Sequence, residues 1–368
     1  MKFFLLFLLS EKIEIKKMSK SPKNFKKLKS IIKRSGTIKT KELSEEKVEN
    51  IKLEDYEFLL KLSKINGGVL KLCQKIETGQ YFCMKILKKI EILETKIVEH
   101  LYNEYKILLK IYHPFIVQLK GINTKDPISL YYLFEFVQGG DLSTLLERNL
   151  KFSEEQSKFY LASIITAIDY LHKKDIIYRN ISPENILLSS NGYIKLYNLN
   201  NCKILKNDYT NTLCGTPEYS SPEMLGRKGH GKSHDLWSLG ILLYHMLIGH
   251  TPFEDTDPLK MQQKILKGKP TISKNISKDA KNLIKHLLIV DPKKRLGCGK
   301  NGIYDIISDP FFKGFDWKNL LFQNLIPPYV PLIKGIGDSS NFKKYDDNYL
   351  ENPDIEIDKE KDPYYKWD

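Results

Sequence analysis

Two neighbouring stretches carry the side chains whose types and spacing bear most directly on chemistry. DIIYRNISPENILL, at 175–188, presents Asn180, Ser182 and Asn185 between apolar runs, and KLYNLNNCK, at 195–203, presents Asn198. An amide cannot take up a proton at neutral pH, and it is a poorer ligand than a carboxylate for Mg²⁺, a hard cation that prefers charged oxygens. These side chains therefore favour neither acid–base catalysis nor metal binding.

The elements that must position these loops follow from the apolar periodicity. Short β-prone runs dominate from Tyr56 to about Leu87 with a turn at 77–80, and KIVEHLYNEYKILLKI has apolar residues at helical spacing. LYYLFEFV reads as a buried strand running into a QGG joint, after which a long helix opens with a capping pattern at Ser153. The predicted fold class is therefore α+β, with a small β-rich lobe, a hinge and a larger helical lobe.

Composition narrows the class of protein. The chain has 368 residues and a formal net charge of +14, and residues 1–50 hold 14 Lys/Arg against 6 Asp/Glu. We interpret this surplus as a solvated, disordered arm, and because no nucleic-acid motif accompanies it, nucleic acid is not an expected partner. Five scattered cysteines without a CxxC pair favour a reducing compartment, which predicts a cytoplasmic protein.

The first ten residues, MKFFLLFLLS, leave three interpretations open. Their apolar run is too short to span a bilayer. It fits a secretory signal at the short limit, a membrane-surface anchor, or a segment upstream of a start at Met18. The cytoplasmic prediction therefore keeps a secretory alternative, and contact with a membrane through this segment is left open.

From about Glu54 to the C-terminus, a series of ordered motifs resembles a Ser/Thr protein kinase of the AGC group, most closely the cyclic-AMP-dependent kinases. The motifs are CMKIL, NEYKIL, LFEFV, TLCGTPEYSSPE, HDLWSLG and KGIGDSSNFKKY. The resemblance implies a bilobal kinase fold with a helix C in the small lobe and an AGC tail. It divides the chain into an arm at 1–53, a kinase-like domain at 54–312 with lobes meeting at 137 and 138, and a tail at 313–368.

The resemblance also assigns a nucleotide site. Lys85 takes the position of the lysine that grips the α- and β-phosphates, Glu104 that of its helix-C partner, and Phe134 that of the gatekeeper. The hinge would bond adenine through its backbone, and Phe342 would reach the adenine from the tail. The full set of nucleotide-binding positions is Leu62, Gly68, Leu70, Cys83, Lys85, Glu104, Glu135, Val137, Asn185, Leu187 and Phe342.

A regulatory phosphate site is implied in the activation segment. Thr212 takes the phosphorylated position, and His100, Arg179 and Lys203 take the positions that hold the phosphate. Three basic groups around one phosphate make strong charge-assisted hydrogen bonds. We therefore expect an upstream kinase that acts on Thr212.

Other positions match supports and peptide contacts of the family. Glu223 is expected to pair with Arg295, and Asp235 to anchor the catalytic loop. Asp141 and Glu184 match two acidic groups that receive substrate arginines, whereas a histidine, His245, replaces a third. A basic peptide segment is therefore one expected partner.

The tail of the chain offers one more family feature. YYKW, at 364–367, keeps the aromatic spacing of the AGC hydrophobic motif. In the family, the two rings of this motif dock beside helix C. The same docking is expected here.

Four devices of phosphoryl transfer are altered. Asn180 stands at the base, Ser182 at the loop lysine and Asn198 at the metal-binding aspartate, and the glycine-rich loop at 63–68 has lost two of three glycines. Asn185 alone survives as a ligand, so no metal site is predicted and Mg²⁺ is disfavoured. ATP is left open as a ligand.

These departures predict a pseudokinase that acts as a binding and regulatory module on protein partners. Two alternatives stay open. The first is a slow or unconventional ATP-dependent Ser/Thr kinase, because Lys85, Glu104 and Asn185 are present. The second is a secreted pseudokinase effector, which depends on the nature of the first residues.

Overall fold

A computed structural model describes residues 48–65, 67–95, 97–205, 209–342, 355–365 and 367. The secretory, membrane-anchor and Met18 interpretations concern residues outside these ranges. The structure differs from the predicted arm at its C-terminal end, because Glu49–Asn50 form a strand and Ile51 is buried beside Tyr56. An apolar side chain at residue 51 thus draws the last residues of the predicted arm into the small lobe.

The small lobe is built on a six-stranded sheet in the order β1-β5-β6-β4-β3-β2. Its strands are β1 (Glu49–Asn50), β2 (Tyr56–Ile65), β3 (Gly68–Lys75), β4 (Tyr81–Lys88), β5 (Leu119–Asn123) and β6 (Ser129–Glu135). All neighbouring pairs are antiparallel except β1 with β5, which are parallel. The turn between β3 and β4 lies where the sequence predicted a hairpin.

Two helices follow β4, and the second is the expected helix C. Helix α1 spans Lys89–Thr95 and α2 spans Val98–Leu108. One face of α2 is buried through Leu101, Tyr105 and Leu108, as its apolar spacing predicts. The sequence analysis missed α1, a single run of seven residues with little periodicity of its own.

The large lobe is mainly helical. Its helices are α3 (Leu142–Asn149), α4 (Glu154–Lys173), α5 (Pro222–Leu225), α6 (Lys232–Ile248), α7 (Pro258–Lys267), α8 (Lys278–Leu287), α9 (Tyr304–Ile307) and α10 (Trp317–Leu321). The predicted capping box opens α4, with Ser153 and Gln156 each bonding the other's backbone N–H. Helix α6 is buried nearly all round, and among the described residues no helix is long and apolar enough to cross a bilayer.

Four short strands hold the loops singled out by the sequence. They are β7 (Ile176–Ile177), β8 (Ile186–Leu188), β9 (Ile194–Leu196) and β10 (Lys203–Ile204). Strand β7 pairs with β10, and β8 pairs with β9. The connections between these strands carry the 178–185 loop and the 198–201 turn, so both lie at the face of the large lobe that meets the sheet. The predicted bilobal α+β fold is confirmed.

Candidate active site

Nine of the eleven predicted nucleotide positions line a cavity of about 650 Å³ between the lobes, whereas Gly68 and Asn185 do not. Leu62, Leu70 and Cys83 line it from β2, β3 and β4, and Leu187 lines it from β8. Val137 contributes from the segment that joins the lobes. The cavity is therefore an apolar slot with one wall from each lobe.

A buried ion pair lies at the inner end of this slot. The Lys85 ammonium donates to both carboxylate oxygens of Glu104, at 2.7 and 2.9 Å. Glu104 is 2% exposed, and the contact joins β4 to α2. The pair holds α2 against the sheet, and the carboxylate of Glu104 neutralises the charge of Lys85.

Gly68 has a role different from the predicted one. It does not line the cavity, and a Cβ at this position would lie 1.9 Å from the carbonyl oxygen of Ile86 on β4. Close approach of two strands therefore requires this glycine. Gly67, with φ +75°, supplies the left-handed turn before it, whereas Ile65 lies at the end of β2 and lines the cavity.

One buried carboxylate, that of Asp235, holds the backbone at the start of the 178–185 loop. Asp235 on α6 accepts the backbone N–H groups of Tyr178 and Arg179, at 3.0 and 2.8 Å, and lies 2.7 Å from His172 Nε2. Burial alone would raise the pKa of Asp235, but the hydrogen bond and charge of His172 outweigh it and hold that pKa below its ordinary value. The expected anchoring of this loop by Asp235 is confirmed.

Side chains of the 178–185 loop and the 198–201 turn bond to one another. Asn198 Nδ2 donates to Asn185 Oδ1 at 2.9 Å, and Asn185 Nδ2 donates to Ser182 Oγ at 2.9 Å and to the carbonyl oxygen of Asn180 at 3.2 Å. We call Asn180, Ser182, Asn185 and Asn198 the amide network. Asn198 has a left-handed backbone, φ 59° and ψ 62°, which asparagine tolerates better than most residues.

The amide network does not fit Mg²⁺. The only oxygen that the resemblance leaves as a ligand, Asn185 Oδ1, already accepts an N–H from Asn198. No group of three or more His, Cys, Asp or Glu side chains that could hold a metal ion occurs among the described residues. A cation at this point would meet an amide N–H, whose hydrogen carries partial positive charge.

The predicted phosphate receptor is only partly assembled. Arg179 Nη1 donates to the carbonyl oxygen of Thr212 at 3.4 Å, and Lys203 Nζ donates to Thr210 Oγ1 at 2.8 Å. Thr210 Oγ1 lies 3.5 Å from Thr212 Oγ1. His100 is exposed on α2 at the edge of the cavity, and the structure shows no hydrogen bond between it and Thr212. The sequence analysis missed Thr210, although two threonines two residues apart could have signalled it.

The predicted peptide contacts are occupied by local hydrogen bonds. Asp141 caps α3 by accepting the backbone N–H of Thr144 at 2.7 Å, and Glu184 accepts the hydroxyl of Thr216 at 2.8 Å. Both residues line the cavity. His245 bonds the hydroxyl of Tyr219 at 2.7 Å instead of offering a third carboxylate.

Glu135 has a side-chain role that sequence reasoning did not find. Its Oε1 accepts the backbone N–H of Gln118 and the ammonium of Lys195, both at 2.8 Å. This carboxylate therefore ties the small lobe to β9 of the large lobe. No sequence signal marks it, because the family resemblance assigns only the backbone of this residue.

The tail contacts the small lobe at two places. Phe342 lies at the cavity and stacks on Phe136, with ring centroids 5.9 Å apart. Trp367 packs on Tyr102 and Tyr105 of α2, at 5.1 and 5.5 Å between ring centroids. The expected docking of the aromatic motif beside helix C is confirmed.

Two polar residues fasten the same end of the tail. Lys89, with a fully buried side chain, forms an ion pair with Asp362 and donates to the carbonyl oxygen of Thr124 at 2.9 Å. The buried Tyr364 ring lies 5.6 Å from the same ammonium. The end of the tail is therefore part of the packed structure of the small lobe.

Comparison with known proteins agrees with this geometry. The protein kinase domain family matches residues 56–312. The chain is 43% identical over 283 residues to the cAMP-dependent protein kinase catalytic subunit of Dictyostelium discoideum, covering 77% of this chain and 43% of that protein. It is 41% identical over 293 residues to catalytic subunit 3 of Drosophila melanogaster, covering 80% of this chain and 50% of that protein.

A third relative is matched over most of its length. The cAMP-dependent protein kinase catalytic subunit PRKX of Homo sapiens is 41% identical over 296 residues, which cover 80% of this chain and 82% of that protein. The chain thus spans about half the length of the first two relatives and most of the third. It belongs to the protein kinase family, as an AGC-like member similar to the catalytic subunits of cAMP-dependent protein kinase.

Proposed function

We propose that this chain is a pseudokinase, a kinase fold that acts by binding and regulation rather than by phosphoryl transfer. The observation that carries the proposal is the hydrogen bond from Asn198 Nδ2 to Asn185 Oδ1 at 2.9 Å. It places an N–H donor at the point where phosphoryl transfer needs a cation between carboxylates and phosphate oxygens.

The rest of the amide network supports the same conclusion. Asn180, at the position of the base, presents an amide that cannot accept the proton of a substrate hydroxyl. Loss of a general base typically costs about 10²–10⁴ in rate. Ser182 brings no positive charge to the γ-phosphate and accepts a hydrogen bond from Asn185 instead.

A slow ATP-dependent Ser/Thr kinase is the second candidate. The pairing of Lys85 with Glu104 favours it, because active kinases need this ion pair. The anchored backbone at Arg179 favours it as well. These features support a fold that could position a nucleotide, but they provide neither the base nor the metal site.

Phosphotransfer to a basic peptide separates the two candidates. We expect the purified chain to transfer phosphate from ATP in Mg²⁺ at less than about 0.1 s⁻¹, a tenth of the lower bound for ordinary kinases. The Asn180→Asp/Asn198→Asp double variant is expected to be faster than the parent. A parent rate above that limit, lost in a Lys85→Met variant, would contradict the pseudokinase proposal and establish the slow kinase.

A phosphate on Thr212 is the proposed means of regulation. Without a base the chain should not modify itself, so an upstream kinase is needed. The phosphate would lie near Arg179 and Lys203, gain one to three charge-assisted hydrogen bonds and order the activation segment for a protein partner.

Phosphorylation of Thr212 in trans tests this switch. The expected results are a higher Tm and slower proteolysis of the 209–215 segment, with a smaller response in His100→Ala, whose side chain is exposed in the unphosphorylated chain. An unchanged Tm and unchanged proteolysis, or an equal response in His100→Ala, would show that the receptor does not act as a switch.

The proposed partner is a protein, and a basic peptide segment is one candidate for what is bound. The carboxylates of Asp141 and Glu184 support this, since both keep acceptor capacity beyond the bonds they make. We place the module in the cytoplasm as part of the same proposal, supported by five free cysteines.

A further inference from the structure

Positive charge is concentrated in one segment of the large lobe, at residues 258–300. This segment holds eleven lysines and one arginine but only two carboxylates, Asp279 and Asp291. Residues 1–50 have a surplus of 8 positive charges and this segment a surplus of 10, against a net charge of +14, so all the other residues together are slightly negative. The segment is therefore a local basic feature of a chain that is not basic throughout.

Most of these lysines lie at the surface without a carboxylate partner. Ten of the eleven are exposed, and Lys281 is half-buried. In the described part of the chain only Lys264 and Lys294 form ion pairs, both of them exposed. The one arginine of the segment, Arg295, is buried. The charge that the segment presents to solvent is therefore carried by lysines alone.

Helix electrostatics explains only part of this arrangement. Basic side chains are favoured in the last turn of a helix, which accounts for Lys264 and Lys267 in α7. Lys269, Lys293 and Lys294 lie outside the last turn of α7 and of α8. Their placement leaves room for a role in binding.

Two parts of the segment meet at Gly268, directly after α7. A Cβ at Gly268 would lie 2.1 Å from Val290 Cγ2, and its φ of +59° ends the helix in a left-handed conformation. This contact brings the end of α7 against the residues that follow α8. Lys267 and Lys269 on one side therefore lie near Lys293 on the other.

Apolar side chains lie among these lysines at the surface. Leu259 and Leu266, seven residues apart on α7, are 67% and 47% exposed. Lys260 and Lys267 have the same spacing, so a leucine pair and a lysine pair run side by side on the face of α7 that points away from the core. Val290, beside the end of this helix, is 38% exposed. We call this set the lysine patch, which consists of Leu259, Lys260, Leu266, Lys267, Lys269, Val290, Lys293 and Lys294.

Composition favours an anionic membrane over a nucleic acid as the partner of the lysine patch. The segment 258–300 contains no Phe, Trp or Tyr on which a base could stack. Lysine binds phosphate as a point charge, whereas arginine makes the bidentate contacts typical of base recognition. Exposed aliphatic side chains beside lysines suit the boundary between head groups and acyl chains, where the apolar groups leave water and the ammonium groups face anionic lipid.

We propose that the lysine patch is a peripheral membrane-binding surface that recognises anionic lipid head groups. None of its residues lines the interlobe cavity, so lipid contact and binding in the cavity use separate surfaces. The proposal goes beyond the proposed function and does not depend on it, because it holds for a pseudokinase and for a slow kinase alike. It would bring the module to the negatively charged cytoplasmic leaflet of a membrane.

Co-sedimentation of the full chain with vesicles tests the proposal. We expect binding to vesicles of about three parts phosphatidylcholine to one part phosphatidylserine, and at least about tenfold weaker binding to phosphatidylcholine alone. Failure of the parent to bind the mixed vesicles, or equal binding to both kinds, would overturn the proposal.

Charge-reversal variants locate the contact, which the basic residues 1–50 could otherwise supply. Lys267→Glu/Lys293→Glu should weaken binding to the mixed vesicles at least about 25-fold, since each lysine near an anionic surface contributes about a factor of five. Lys110→Glu/Lys174→Glu makes the same change of charge at exposed lysines that follow α2 and α4, and should weaken binding much less. With Tm measured to show that both variants are folded, equal losses would contradict the assignment to the patch.

A leucine variant and competing polyanions distinguish a membrane from other partners. Leu266→Asn should lower the bound fraction that survives about 0.5 M NaCl, where surface charges are strongly screened. Gln263→Asn, at an exposed position on the same helix, is the control and should leave that fraction unchanged. If Leu266→Asn binds as the parent does in high salt, the apolar contact does not exist and the proposal fails. It also fails if polyuridylate or polyglutamate binds the patch more tightly than the mixed vesicles do at equal salt, since the surface would then serve a nucleic acid or an acidic protein.

Discussion

The buried charged residues that stabilise the large lobe, which we call the supports (Asp235 and the pair Glu223–Arg295), differ in charge from the amide network. The supports keep buried ionised groups in matched pairs, such as Glu223 with Arg295, whose guanidinium donates at 2.7 and 2.9 Å. The amide network has only uncharged side chains, and those of Ser182, Asn185 and Asn198 bond to one another while Asn180 takes part through its backbone carbonyl oxygen.

This difference shows which substitutions a kinase fold tolerates. A buried ion pair that loses one member leaves an uncompensated charge, so replacing either residue alone is strongly destabilising. A carboxylate that serves a metal ion can be replaced by an amide, provided that the amide finds hydrogen-bond partners. The residues of the site can therefore be replaced by uncharged ones together, while the buried ion pairs of the large lobe are retained.

The largest expected effect tests the supports. Glu223→Gln leaves the guanidinium of Arg295 buried without its counter-charge, and should lower the free energy of unfolding by about 3–5 kcal/mol. Chemical denaturation measures this change. Lys232→Met removes an exposed ion pair with Asp175 and is the control, expected to cost about 1 kcal/mol or less. Equal effects would show that burial does not distinguish the two pairs.

The tail gives the second-largest expected effect. Trp367 is 7% exposed and packs on two tyrosines of α2, so Trp367→Ala should lower the free energy of unfolding of the small lobe by about 3 kcal/mol. Faster hydrogen exchange in α2 is the readout. Tyr365→Ala, beside it but only half-buried, should leave that exchange nearly unchanged, and a similar rise in both would contradict the docking.

Acid is expected to lower the stability of the large lobe through two buried histidines, whereas the Asn and Ser side chains of the amide network do not titrate. Burial lowers the pKa of His230 and of His234 to about 4, from an ordinary value of 6.5. For His234 the negative charges of Asp235 and Glu223 oppose this shift without overcoming it. Between pH 6.5 and 4 the unfolded chain therefore binds more protons than the folded chain.

The free energy of unfolding should accordingly fall as the pH drops from about 6.5 towards 4. Each of the two histidines contributes a slope of about 1.4 kcal/mol per pH unit in the middle of that window, and full stability is present above it. Urea titrations at pH 7 and pH 5 measure the loss. A His234→Gln variant should show a shallower slope, and a slope equal to that of the parent would refute the assignment.

The smallest expected effect concerns the amide network. Ser182→Ala removes one acceptor of the Asn185 amide, which keeps the carbonyl oxygen of Asn180, and should lower the free energy of unfolding by about 1 kcal/mol. Ser190→Ala, at an exposed position, is the control with no expected change. A fall in the free energy of unfolding as large as that of Glu223→Gln would contradict the proposed difference between the amide network and the buried ion pairs.

Much of the site could be predicted because the family spacing fixes backbone positions. Lys85 and Glu104 lie 19 residues apart on neighbouring elements, and their pairing follows from that placement. Asp235 beneath the loop and the pair of Glu223 with Arg295 were found in the same way. The apolar spacing predicted α2 and the capping pattern at Ser153 predicted α4, but neither signal marked the short α1.

Side-chain partners that depend on local geometry could not be predicted. Asn198 bonds Asn185 from a left-handed backbone conformation, and no sequence pattern in this chain predicts that conformation. Gly68 was assigned to phosphate binding, because sequence does not show that a Cβ there would meet β4. The bond between Glu135 and Lys195 joins residues 60 apart whose pairing depends on how the lobes meet.

The ion pair of Lys89 with Asp362 has a consequence for how the chain is made. Its members are separated by 273 residues, so Lys89 leaves the ribosome long before its partner is synthesised. At about 5–20 residues per second, this delay is on the order of 15–55 s. During that interval the Lys89 ammonium lacks its carboxylate partner and Tyr102 and Tyr105 lack Trp367, so we expect the small lobe to reach its full stability only after translation of the tail.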